Sequence, residues 1–209
     1  MARPLAIIQM IVILIFSIII HEVAHGYVAL LRGDPTARDA GRLTFNPLPH
    51  IDIFGSIIFP IMMLIMTRGS LVLAWAKPVP INPYYFKEPT KDMMLVGAAG
   101  PASNTGLAIA GAILFRIGLS ETFLGGFLTF AIIINLLLAL FNLIPIPPLD
   151  GSRILQAFLP LEAREKYMRI EPFGFFIIIF LLWAGAFQWI LFPIMRGLFF
   201  LLTGVRFMW

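Results

Sequence analysis

The sequence predicts an all-α polytopic membrane protein, a helical core of about 4 to 6 transmembrane segments joined by a small β-hairpin or re-entrant element. Three observations predict it. Of the 209 residues 60% are hydrophobic and only 12% charged, and the mean hydropathy is +0.94, far outside the composition of soluble domains. Apolar runs of about 20 residues, the length that crosses a bilayer, recur along the chain. The Lys and Arg residues fall in the short stretches between those runs, where positive charge sets topology.

Pro4 to Leu31 is the first run. Arg3 and the apolar stretch behind it loosely fit a signal peptide, but no small-residue cleavage pattern follows and the run continues past His25, so it is read as a membrane helix. Ile53 to Met66 holds 14 residues with Gly55 and Pro60 inside, too short for a span. The stretch "WAKPVPINPYYFKEP", Trp75 to Pro89, carries four prolines, which excludes helix. Short extended strands turning around Ile81 to Pro83 are expected there, at a sheet edge because proline offers no N–H. Met93 to Phe115, Phe123 to Ile144 and Phe173 to Phe192 are the further spans, and the tail from Pro193 to Leu202 is a shorter apolar run. Leu161 to Glu171 mixes apolar and charged residues and reads as a helix lying along the membrane surface.

The stretches after the first helix, before the second and after the third hold 11 of the 15 basic residues, so all three are expected in the cytoplasm. Between the second and third helices only Arg116 and Glu121 are charged, as suits an outer turn. Parity then requires Ile53 to Met66 to dip in and return, or to pair with Leu71 to Ala76 as a tight hairpin. No polar linker or repeat divides the chain. It is read as one integral-membrane unit over residues 1–209, with a core in 1–160 and amphipathic and membrane segments in 161–209. The net charge of +4 belongs to the loops, which argues against nucleic-acid binding. With no Cys there is no thiolate, and His and carboxylates are the strong metal ligands that remain.

Inside the first helix stands "HEVAH". Residues four apart on a helix differ by about 40° in azimuth and about 6 Å in rise, so His21 and His25 share a face and can grip one ion. Glu22 lies about 100° round, off the two-imidazole axis but near a water on that ion. This is the H-E-x-x-H pattern of two zinc-binding histidines and a glutamate base. The pattern alone is suggestive, and the bland alternative is a pair of buried histidines bonded to backbone. Depth in the membrane weighs against that alternative: each such polar group costs about 2.5–3.5 kcal/mol at the bilayer centre, and a bound divalent ion compensates.

Catalytic zinc usually takes three protein ligands and leaves one place for water. Asp150, in "NLIPIPPLDGSRIL", is the favoured third ligand because Pro145, Pro147 and Pro148 break the third helix beside it, and irregular backbone at membrane depth is tolerated where it lines a cavity. Its bland role is a helix N-cap. His50, in "FNPLPHID", is the competitor, read otherwise as an interfacial histidine or a substrate contact. Asn142 near the metal would donate to a substrate carbonyl or its oxyanion. Asn104 in "AAGPASN" is read as a helix contact first and a substrate-binding residue second, and Asn135 as helix glue.

Together, HEVAH in an N-terminal membrane helix, "AAGPASN" opening a second and "NLIPIPPLDG" ending a third resemble the site-2 protease family of intramembrane zinc metalloproteases, in the short form without PDZ or CBS domains. "FNPLPHID" and "WAKPVPINP" extend the likeness over about residues 1 to 160. The resemblance implies one zinc per chain on His21, His25 and Asp150, Glu22 as catalytic base, Asn142 assisting at the scissile bond, and transmembrane helices of other proteins as substrates. A multi-pass protein of a prokaryotic cell membrane is expected, its active site toward the cytoplasm because His21 and His25 lie roughly 10 to 16 Å by helical rise from the end near Arg32. The alternative from another class is a divalent metal transporter or channel, which should repeat such ligands along a route and often shows internal symmetry.

Overall fold

The computed structural model describes residues 4–66 and 75–206. Among these residues all regular structure is helical and no strand forms. Helix α1, Pro4–Leu31, is built largely of Ile, Leu and Val. β-Branched residues are indifferent helix formers in water, but in lipid every backbone N–H and C=O must be paired within the segment, and the helix does that. It stops where polar chain begins, at Arg32 and at Gly33 with φ 107°. Arg32 Nε donates to Asp92 Oδ1 at 2.6 Å. Asp92, fully buried, also accepts the Glu88 N–H at 3.1 Å, so one carboxylate ties the end of α1 to the start of α4, Pro89–Arg116. Between them lies the short α2, Thr36–Asp39, then a π-helical turn at Ile53–Ile58 that runs into α3, Phe59–Met66.

The run predicted to be re-entrant or interfacial is therefore a short apolar helix. Its start is held against Trp75: the Trp75 N–H donates to the Gly55 carbonyl at 3.1 Å, Ser56 Oγ to the Trp75 carbonyl at 2.8 Å, and Phe54, Phe59 and Phe175 surround the indole. Residues 71–74 of the proposed hairpin partner lie outside the described residues. The expected strands around Ile81 to Pro83 are replaced by irregular chain and a 3-10 turn at Pro83–Tyr85. Their inward N–H groups find partners other than a second strand: Lys77 N–H bonds the His50 carbonyl at 2.9 Å and Asn82 N–H the Asp34 carboxylate at 2.7 Å.

Helix α4 and helix α5, Gly125–Asn142, pack on each other and on α1. Small residues let the backbones approach, as in membrane bundles generally. Ala108 and Ala112 of α4 meet Ile132, Ile133 and Leu136 of α5, with Met195 and Phe199 from α10, Leu191–Thr203, closing the cluster. Helix α5 ends at Asn142, ahead of the three prolines, and α6 starts at Asp150 and runs to Gln156. A Cβ on Gly151 would overlap the Leu143 carbonyl, so glycine alone allows α6 to begin against the last turn of α5. The intervening loop is held from outside by the surface helix α7, Leu161–Met168, whose Tyr167 hydroxyl donates to the Pro145 carbonyl at 2.8 Å. Burial pushes the Tyr167 phenol above its ordinary value, with the Ser152 hydroxyl pulling the other way, so the group stays a neutral donor.

The last predicted span needs correction. Residues 173–192 do not form one helix: α8 covers Glu171–Trp183, Gly185 turns the chain with φ 75°, and α9, Ala186–Trp189, leads into α10, Leu191–Thr203. The fourth helical stretch long and apolar enough to cross is Ala186–Thr203, beside Ile8–Leu31, Pro89–Arg116 and Gly125–Asn142. Pro193, which marked the tail as doubtful, sits in the first turn of α10, where its missing N–H is not needed. Gly151→Ala is expected to force α6 off α5 and destabilise the fold by about 1–3 kcal/mol, measured as a lower unfolding midpoint in detergent.

Candidate metal centre

Helix α1 brings His21 and His25 to one face, and the chain that re-enters at α6 brings Asp150 against them. His21 Nε2 and His25 Nε2 are 3.0 Å apart, and Asp150 Oδ2 lies 3.1 Å from the first and 3.2 Å from the second. All three residues are buried, and among the described residues they form a group of ligand atoms able to hold one ion. Asp150 is the first residue of α6, and its buried Oδ2 accepts no hydrogen bond.

The far sides of the rings decide what the near sides can be. His25 Nδ1 is 2.6 Å from the Val96 carbonyl oxygen, which can only accept, so the proton of that ring sits on Nδ1. His21 Nδ1 is 2.6 Å from Asn104 Oδ1, which imposes the same tautomer. Two imidazole Nε2 atoms and a carboxylate oxygen thus converge in a buried space, an arrangement that repels itself unless a proton or a metal cation is shared among them. A tetrahedral ion with bonds of about 2.0–2.1 Å spaces its ligand atoms about 3.3–3.4 Å apart. The three atoms stand close to that spacing, so the donor set fits zinc.

Gly100 lies directly beneath the rings, and a Cβ there would overlap His21 and His25. Glu22, half-buried, points to the side, where its Oε2 accepts the Val79 N–H at 2.9 Å. The Pro-rich stretch is in turn tied down by Arg42 Nη2 donating to the Lys77 carbonyl at 2.6 Å.

The other candidates fall in different places. His50 is buried rather than on the surface; its Nε2 pairs with the Thr44 carbonyl at 2.9 Å, and it is not part of the ligand group. Asn104 is fully buried, with Oδ1 2.6 Å from His21 Nδ1. Asn142 ends α5, with one amide N–H on the Leu138 carbonyl at 3.0 Å. Gly100 carried a signal in the sequence, its place in "AAGPASN", but only the facing of α1 and α4 shows what it makes room for.

A family model described as "Peptidase family M50" matches residues 119–185, the stretch that carries Asp150. A relative from Bacillus subtilis strain 168, named "Putative zinc metalloprotease YwhC", is 39% identical over 204 residues, covering 93% of this chain and 89% of its own. The chain belongs to peptidase family M50, the site-2 protease family. A further relative, "Putative zinc metalloprotease Rip2" of Mycolicibacterium smegmatis, is 29% identical over 198 residues, 88% of this chain and 71% of its own. No solved structure matches. This M50 member is a multi-pass membrane metallopeptidase whose metal is zinc, and the buried His, His and Asp group could hold such an ion.

Gly100→Ala is expected to push the imidazoles apart and weaken zinc binding about tenfold or more, measured by competition with a chromophoric chelator.

Proposed function

We propose that this peptidase holds one zinc ion on His21, His25 and Asp150 and cleaves transmembrane helices of other proteins within the cytoplasmic half of the membrane. The observation that carries the reading is the convergence of two imidazole Nε2 atoms and a carboxylate oxygen at 3.0–3.2 Å inside an apolar bundle. Zinc bound there supplies a water of lowered pKa and polarises a carbonyl. Glu22 is the base. With Oε2 held by the Val79 N–H, Oε1 is the oxygen that takes the proton of the attacking water. Asn142 keeps its other amide N–H for the substrate carbonyl, where a donor stabilises developing negative charge.

The cytoplasmic placement is supported by the Arg residues that follow α1 and by helical rise. His21 and His25 stand about 10–16 Å before that end of the helix. A substrate helix shields its own peptide bonds, so it must unwind to be cut. The stretch 75–80 supports a docking edge for the unwound strand: the N–H groups of Trp75, Lys77 and Val79 all point inward to partners, which leaves the opposite edge for added chain. No further ligand group lines a path through the described residues, and membership of a peptidase family does not favour the transporter alternative. A prokaryotic cell membrane is the natural setting, given the bacterial relatives.

Glu22→Gln is expected to keep one zinc per chain and lower cleavage of a membrane-embedded reporter by about 10²–10⁴-fold. Metal analysis and a liposome cleavage assay measure the two together, and undiminished cleavage would refute the base assignment. Asn142→Ala is expected to keep zinc and reduce kcat by about 10²–10³-fold, read in the same assay at saturating substrate.

A further inference from the structure

Behind the metal centre lies a buried polar chain that the reaction scheme does not use. Asn104 Nδ2 donates to Asn135 Oδ1 at 2.8 Å and to the Ser17 carbonyl at 3.3 Å. Asn135 Nδ2 donates to Ser17 Oγ at 2.9 Å and to the Ala131 carbonyl at 2.9 Å. Asn104 is 0% exposed, and Ser17 and Asn135 are 3% exposed each. Three side chains from α1, α4 and α5 therefore meet in the apolar middle of the bundle, and the chain they form ends on His21 Nδ1.

The direction of this chain is not arbitrary. A backbone carbonyl can only accept, so the Ser17 carbonyl fixes the NH₂ end of Asn104 and the Ala131 carbonyl fixes the NH₂ end of Asn135. Each amide then has one orientation that satisfies its neighbours, and in that orientation Asn104 presents Oδ1, an acceptor, to His21. A flip would set the Asn104 NH₂ against the Nδ1 proton and leave its oxygen facing Asn135 Oδ1 and the Ser17 carbonyl. Low dielectric makes that mistake expensive.

We infer that Asn104, oriented by Asn135 and Ser17, is the positioning residue that holds the His21 proton on Nδ1 and turns the Nε2 lone pair to the metal. His25 receives the same service from a backbone group, the Val96 carbonyl, which no substitution can remove. The layout repeats at four-residue intervals on both helices. Ser17, His21 and His25 lie on one face of α1, and Val96, Gly100 and Asn104 on the facing side of α4: an acceptor for each ring, with a glycine between them where the rings need space. A histidine ligand whose far nitrogen donates to a fixed acceptor is a better and better-aimed ligand, and loss of such an acceptor typically weakens metal binding about 10–100-fold.

The inference rests on zinc being held by His21, His25 and Asp150, and the experiment separates the two. The full chain is purified in detergent, and zinc affinity is measured by chelator competition for the parent, His21→Ala, Asn104→Leu and Asn104→Asp. Asn104→Leu is expected to bind zinc about 10–100-fold more weakly. Asn104→Asp keeps an oxygen toward His21 while losing both N–H donors to its neighbours, and is expected to recover most of that affinity. A residue serving only to join helices would predict no such recovery, since both variants break the links to Asn135 and Ser17. In the zinc-loaded parent, nitrogen NMR of labelled histidine should find the His21 proton on Nδ1, a result that needs no variant to fold. Zinc affinity in Asn104→Leu equal to the parent's, equal losses in the Leu and Asp variants, or metal found on Nδ1 would overturn the positioning role. A parent that takes up no zinc, or a His21→Ala variant that keeps it, would overturn the metal centre itself.

Discussion

Everything in this molecule is arranged around three electron pairs that cannot stand together without a cation. Two imidazole nitrogens and a carboxylate oxygen within 3.2 Å of one another would be costly in water-free surroundings, and the protein holds them there with several separate restraints. Backbone geometry stacks the histidines, an absent Cβ at Gly100 gives the rings their space, and Gly151 lets the aspartate's helix begin against the end of α5. Hydrogen bonds on the far side of each ring forbid the tautomers that would relieve the repulsion. Of the neutral tautomers, the one that remains turns each Nε2 lone pair into the shared space, which preorganises the centre for a cation.

The bilayer explains why so many of the supporting groups are polar and buried. In hydrocarbon a lone amide or hydroxyl has no water to fall back on, so it persists only where partners are supplied. Asn104, Asn135 and Ser17 satisfy one another and backbone carbonyls. The Arg32 and Asp92 pair does the same at the helix ends, where the Asp92 carboxylate is fully buried and the Arg32 side chain is 37% exposed. The helices are kept in register by these few directional contacts, because packing of Ala, Ile and Leu against one another differs little from packing against lipid.

Much of this was legible in the sequence, and the reasons are local. The spacing of His21 and His25 is a property of one helix, and the prolines after Asn142 announce the break that frees Asp150, so neither needs knowledge of distant packing. The role of Gly100 and the contact between Asn104 and His21 depend on how α1 and α4 slide past each other, which no single segment encodes. A four-residue ladder on each helix was the available hint. Flanking prolines suggest an exposed His50, but the Thr44 carbonyl pairs with its ring, the Lys77 N–H bonds its carbonyl, and the residue is buried. The apolar run after Phe173 looked continuous by composition. One glycine with positive φ at residue 185 divides it, and the true span starts on the far side.

The bond from the Val79 N–H to Glu22 means that the two halves of the chemistry are anchored in different material. Metal capture depends on side chains fixed by helices in the membrane interior, whereas the carboxylate beside it is aimed by a strip of proline-punctuated chain outside them. A compound wedged under that strip would leave the bundle intact, yet misdirect the carboxylate that the proposed scheme turns to the water. Latency in such an enzyme can therefore be imposed from its rim, and an inhibitor need not be a chelator.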